Sequence, residues 1–141
     1  MILYLDTSAL VKLYVLEVHS AEVRSWLRSA EVAATSDVAY AESRAAFARA
    51  LREGMSTAQQ HQQRVARFNR DWAQMLRVEL SSLVARNAGE LAELHALRGF
   101  DAIHVASALW LRDNSEVPLL FASFDLRMCA AANAAGLQII D

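Results

Sequence analysis

Two short segments of the chain are apolar at every position, and the stretches between them repeat their apolar residues at helical spacing. The continuous runs are Ile2-Leu3-Tyr4-Leu5 and Leu119-Leu120-Phe121-Ala122. Alternation would mark a strand with one wet face; an unbroken run predicts a strand covered on both faces, as in a parallel sheet. Val32-Ala33-Ala34-Thr35 predicts a further short strand, Val78-Glu79-Leu80 a weaker one, and Leu137-Gln138-Ile139-Ile140 the strand that closes the sheet.

Between these runs the period lengthens. Thr7 and Ser8 are expected to cap a helix over residues 9–16, and Ser20 opens a second with Val23, Trp26 and Leu27 on one face. Ser36 and Asp37 offer caps for a helix reaching Arg52, with its apolar stripe expected at Val38, Ala41, Ala45, Ala48 and Leu51 and its stop at Gly54. Ser56 and Gln59 have the spacing of a capping box, ahead of a helix that turns His61, Val65, Phe68, Trp72 and Met75 inward. Ser81 or Ser82 starts a helix ending before Gly99, residues 102–111 form a nearly all-apolar and therefore buried helix, and a last helix stops at Gly136. Strands alternating with helices predict the α/β class: a three-layer α/β/α sandwich around a central, mainly parallel sheet, built as a single domain over residues 1–141.

Composition narrows the class. A chain of 141 residues can bury a sizeable core, and much of its 55% hydrophobic share is alanine, which favours helix over greasy surface. No run of about 18 uncharged apolar residues occurs, so no bilayer span is expected. The first residues lack a basic segment and meet an acid at Asp6, unlike a signal peptide. The single cysteine, Cys129, cannot form an internal disulfide, and the expected location is the cytoplasm.

A net charge of −2 argues against a nucleic-acid partner, unless several of the sixteen acids surround a metal ion that cancels them. The cations are lopsided, thirteen arginines to one lysine, Lys12; arginine's planar fork suits phosphate, though a GC-rich genome would also inflate Arg and Ala.

Four acids stand where chemistry is expected. In parallel sheets ligands bind beyond the carboxyl ends of the strands, and Asp6 and Asp125 follow the two buried runs. Glu42 borders the expected core stripe of its helix, and Asp101 precedes the apolar one, where a lone carboxylate is costly or takes up a proton. Each acid taken singly is also explained as an acceptor of N–H groups at a helix start. Arg44 and Arg49, two and seven residues from Glu42, are poorly placed to pair with it. Four acids at one sheet edge call for a cation, and oxygen ligands favour Mg²⁺ or Mn²⁺ over zinc. His19, His61, His95 and His104 lack zinc spacing, with His61 expected at the core edge and His104 under the site. The chain has no phosphate-binding GxxxxGK[ST], no GxGxxG and no nucleophile elbow around Ser8 or Ser123.

These segments resemble a known family. Leu5-Asp6-Thr7-Ser8-Ala9-Leu10-Val11-Lys12-Leu13-Tyr14 is similar to the opening of PIN domains, especially VapC-type toxins of toxin–antitoxin pairs. Tyr40-Ala41-Glu42-Ser43-Arg44, then Leu97 through Ala108 around Gly99-Phe100-Asp101-Ala102, then Ala122-Ser123-Phe124-Asp125-Leu126-Arg127, follow in the family's order. The resemblance spans the whole chain. It implies a PIN-like fold and RNA cleavage with one or two Mg²⁺ or Mn²⁺ ions held by Asp6, Glu42, Asp101 and Asp125. It also implies a cognate VapB-like antitoxin and a homodimer. Thr7, Ser8 and Ser123 become polar helpers that orient water or the acids, and Lys12, Arg98 and Arg127 candidate phosphate contacts. The alternative is a non-catalytic PIN-like module that binds RNA or protein. Phosphotransferases that use an aspartate after the first strand fit poorly: Ser8 stands where a phosphatase of that kind needs a second acid, and no lysine follows a late strand.

Overall fold

The computed structural model describes residues 1–140. β1 (Ile2–Leu5), β2 (Val32–Ser36), β3 (Leu76–Val78), β4 (Leu119–Ala122) and β5 (Gln138–Ile139) form one sheet in the order β3-β2-β1-β4-β5, every neighbouring pair parallel. The helices are α1 (Thr7–Val11), α2 (Ser20–Ser29), α3 (Val38–Arg52), α4 (Ala58–Trp72), α5 (Ser82–His95), α6 (Gly99–Asp113) and α7 (Leu126–Ala134).

The pleat of β1 divides the molecule into layers, because successive side chains leave a strand on opposite faces. Ile2 and Tyr4 pack with Phe121, Val84, Val105, Met128 and Ala132, so α5, α6 and α7 cover that face. Leu3 and Leu5 pack with Leu10, Val23, Phe47 and Phe68, so α1 to α4 cover the other. All four β1 residues are buried, as their unbroken apolar run requires. The result is the expected three-layer sandwich. Strand order reverses between β1 and β4, which opens a crevice beyond their carboxyl ends, the usual place for a ligand in such sheets.

Several local expectations are corrected. The first helix is one short turn-rich element, ending at Val11 rather than Leu16, and its cap is Asp6 itself, whose side chain accepts from Ala9 N, not Thr7 or Ser8. The buried stripe of α3 is Ala39, Ser43, Phe47 and Ala50; Ala41 and Ala45 are exposed. Alanine carries too little apolar area to set a helix's rotation, and the Phe47 ring sets it instead. The capping box lies one residue later than expected, at Thr57 and Gln60, while Ser56 is buried. β3 also precedes its expected place: it pairs with β2 through Leu76, Arg77 and Val78, leaving Glu79 and Leu80 outside.

Candidate active site

Asp6 stands at the end of β1, 2% exposed, and is the best-held of the four acids. Its Oδ1 accepts from Ser8 Oγ (2.7 Å) and Ala9 N (2.9 Å), and its Oδ2 from Ser123 Oγ (2.6 Å). Ser8 Oγ also accepts from Phe124 N across the crevice, while Ser123 Oγ accepts from Asp125 N within its own turn, each at 3.1 Å. The two hydroxyls therefore latch the end of β1 to the end of β4. Burial pushes the Asp6 carboxyl above its ordinary range, against the favourable field of His104 and the bonds from Ser123, Ser8 and Ala9. Among the described residues no basic side chain forms an ion pair with Asp6.

Glu42 comes from α3, one residue before buried Ser43, and is half-buried. Thr7 Oγ1 donates to its Oε1 at 2.6 Å, and His104 Nε2 lies 3.0 Å from the same oxygen. Burial raises this carboxyl, but the hydrogen bonds from His104 and Thr7, with the charges of His104 and Arg98, outweigh burial and hold it below the ordinary range. An ionised carboxylate only accepts, so Nε2 is the protonated nitrogen. The other ring nitrogen, Nδ1, pairs with the buried Tyr4 hydroxyl at 3.0 Å. Burial keeps the Tyr4 phenol well above its usual range, so that hydroxyl retains its proton. His104 was expected to pack under the site; its part in holding Glu42 was missed. The signal was its spacing, three residues after Asp101 and so on the same face of α6.

Asp101 lies in the first turn of α6, on the layer opposite Glu42. Its Oδ2 accepts from Arg98 Nε at 3.1 Å. Glu42, Arg98, Phe100, Asp101 and Ile103 line one cleft of about 470 Å³. A smaller cleft beside it, about 130 Å³, is lined by Leu97, Arg98, Asp101, Asp125 and Arg127. Asp125 caps α7, its Oδ1 accepting from Arg127 N (2.9 Å) and Met128 N (3.3 Å). Arg98 lines both clefts, and its hydrogen bond to Asp101, with the charges of Asp101, Asp125 and Glu42, raises its guanidinium above its ordinary value.

The other sequence candidates divide. Arg98 and Arg127 stand beside the acids. Lys12 does not line these clefts; it pairs with Glu17 at 2.9 Å and lies over the Phe124 ring. Arg44 bonds Tyr40 and Arg49 bonds Glu53, so neither serves Glu42. Cys129 Sγ donates to Ser123 O at 3.3 Å.

The donor set suits a hard divalent ion: all four acids offer oxygen, and buried Asp6 lacks a cationic partner. As the side chains stand, no three His, Cys, Asp or Glu among the described residues are grouped tightly enough to hold an ion, and Arg98 is the cation between Glu42, Asp101 and Asp125.

Known proteins resemble this chain in sequence and in fold. The PIN domain matches the chain over residues 3–134. Ribonuclease VapC45 of Mycobacterium tuberculosis (strain CDC 1551 / Oshkosh) is 39% identical, across 98% of this chain and 94% of that protein. Two solved structures share the fold. FitAcB from Neisseria gonorrhoeae superposes with a TM-score of 0.70 at 20% identity, covering 100% of this chain and 97% of that one. A toxin–antitoxin complex from Klebsiella pneumoniae gives 0.59 at 20% identity, over 83% and 82%.

Proposed function

This chain belongs to the PIN domain family, and from that membership and its acidic clefts we propose that it is an endoribonuclease, the toxin of a toxin–antitoxin pair, that hydrolyses RNA phosphodiesters with Mg²⁺ or Mn²⁺. The observation that carries the reading is that Glu42 and Asp101, from opposite layers of the sandwich, line one cleft with an exposed arginine between them.

Asp6, Glu42, Asp101 and Asp125 are the residues that would hold the ion. When bound, a divalent ion neutralises charge building on the phosphodiester and makes water a better nucleophile at neutral pH. The rest falls to the chain. Arg98 and Arg127 draw the RNA backbone to the acids, offsetting the negative field that four carboxylates present to a polyanion. Ser8 and Ser123 fix both oxygens of Asp6. Thr7 and His104 both bond Oε1 of Glu42. Among the described residues Oε2 has no hydrogen-bond partner, so Glu42, held ionised, is free there to hold the ion or to take the proton of the attacking water. The water oxygen bonds phosphorus as the P–O bond to the 3′ oxygen breaks in line, and that oxygen takes a proton from solvent, giving 5′-phosphate and 3′-hydroxyl ends. The natural place for such an enzyme and its antitoxin is the cytoplasm; no helix among the described residues is long and apolar enough to cross a membrane.

The test is cleavage of total cellular RNA by the purified protein with Mn²⁺, beside Asp101→Asn prepared identically. Cleavage by the parent and its loss in the variant are expected. Equal cleavage by both would assign the activity to a contaminant, and none by either would favour the non-catalytic binding module.

A further inference from the structure

The chain has five phenylalanines, and four are accounted for by packing. Phe47, Phe68 and Phe121 are fully buried. Phe124 lies between aromatic partners, stacked on His19 with ring centroids 4.9 Å apart and on Trp26 at 5.6 Å. Phe100 is different: it is 58% exposed and, among the described residues, has no ring contact. It precedes Asp101 in the chain and lines the same 470 Å³ cleft, next to Ile103 and the Arg98 guanidinium, whose side chain is 84% exposed.

We propose that Phe100 is the stacking platform for a nucleobase adjoining the scissile phosphate, making the cleft between Glu42 and Phe100 a nucleotide subsite. The inference rests on the nuclease reading and adds to it how the strand is gripped. A phosphodiester brought to Asp101 carries a sugar and base on each side, and of the two clefts that Asp101 lines the one shared with Phe100, about 470 Å³ against about 130 Å³, is the roomier for one of them. An exposed ring offers a π-face that any base can stack on, and a guanidinium beside it serves the neighbouring phosphate or stacks in turn. This combination, an apolar ring, a cation and two carboxylates within one cleft, fits a nucleotide better than an apolar protein segment, which would have to cover Glu42, Arg98 and Asp101 without matching their charges. The substrate in this subsite is single-stranded, because a base inside a duplex has no free face to offer.

The test uses the cleavage-silent Asp6→Asn protein with Mn²⁺ and a uridine oligoribonucleotide carrying one central 2-aminopurine, whose fluorescence falls when it stacks. Binding with quenching is expected when Phe100 is present. Phe100→Leu, which keeps apolar bulk but lacks the π-face, should bind about ten-fold more weakly and lose the quenching, while Phe100→Trp should retain both. In the cleavage-competent chain the same Leu substitution should raise KM more than it lowers kcat. Unchanged affinity and quenching in Phe100→Leu, beside a parent that cleaves RNA, would overturn the subsite and leave the nuclease reading intact. So would a Phe100→Leu variant that loses only its antitoxin. A parent that neither binds nor cleaves RNA would bring down both.

Discussion

His104 and Glu42 come from opposite layers of the sandwich and meet in a 3.0 Å hydrogen bond between the imidazole Nε2 and the carboxylate Oε1. The bond crosses the sheet's carboxyl edge above Tyr4, whose hydroxyl fixes the other side of the imidazole. Groups that orient a ligating or catalytic carboxylate typically matter by about 10–100-fold in activity or metal affinity. His104→Leu should therefore lose activity in that range, and Tyr4→Phe should lose less, since it removes one partner of the imidazole and leaves the bond to Glu42. His104→Gln, which can still donate to Glu42, should recover part of the loss. Steady-state cleavage rates and Mn²⁺ titration calorimetry on the three variants measure this; a His104→Leu enzyme as active as the parent would remove His104 from the site.

Cleavage should require the divalent ion. With oxygen donors only, EDTA should abolish activity, and Mg²⁺ or Mn²⁺ should restore it better than Zn²⁺. End-labelling of the products should find 5′-phosphates and 3′-hydroxyls. Persistent cleavage in EDTA, or 2′,3′-cyclic phosphate ends, would show that the RNA's own 2′-hydroxyl attacks and that the acids have another role.

The antitoxin should seat on the α1–α4 layer. Leu13, Tyr14, Leu27 and Met75 line a groove of about 370 Å³, rimmed by Arg24, Arg67 and Asp71, suited to an amphipathic helix with apolar residues three and four apart. Leu27→Asp should weaken co-purification with the cognate antitoxin by about ten-fold or more while free RNase activity persists. Undiminished capture of the antitoxin by that variant would place the partner elsewhere.

How much of this was legible in the sequence depended on side-chain size. β1 and β4 fall at their expected residues because unbroken apolar runs led by large side chains, Ile2-Leu3-Tyr4-Leu5 and Leu119-Leu120-Phe121-Ala122, mark strands buried on both faces. The face of α3 was misread because five apolar positions, three of them alanine, gave no contrast, and Phe47 outweighed them. The elements carrying Asp6, Glu42, Asp101 and Asp125 were legible from motif and position. What joins them was not: the latch from Ser8 to Phe124 N and from Ser123 to Asp6 spans more than a hundred positions, and the line from Tyr4 through His104 to Glu42 spans 100 and then 62. No local period records such contacts; only the order β3-β2-β1-β4-β5 creates them.

Asp6 and Glu42 should give opposite signatures in stability against pH, and the sign for Asp6 separates a buried carboxylate that awaits a cation from an ordinary helix cap. Asp6 has its folded value raised above the ordinary 3.8 by burial. Its contribution is therefore fully present below about pH 4 and is lost as the pH rises through the folded value. Glu42 has its folded value lowered from the ordinary 4.5 by its bonds to His104 and Thr7, despite the opposing effect of burial. Its contribution is present above about pH 4.5 and is lost as the pH falls through the lower folded value. In EDTA at neutral pH, Asp6→Asn should melt at the same or a higher temperature than the parent, with the difference closing toward pH 4. Glu42→Gln should melt lower than the parent at neutral pH, with that gap closing in acid. Mn²⁺ at about a hundred-fold excess over its Kd should stabilise the parent by about 2.7 kcal/mol, roughly 10 °C in a chain of this size, and both variants much less. If Asp6 were only the cap of α1, asparagine would serve nearly as well, since it caps as strongly as aspartate. Activity would then survive, and Mn²⁺ would leave parent and variant melting together. Differential scanning fluorimetry of the three proteins across pH 4 to 8, with EDTA and with Mn²⁺, decides the matter. A clear fall in the metal-free melting temperature of Asp6→Asn at neutral pH would show that the ionised carboxylate holds this corner together, and that no cation is needed to make it favourable.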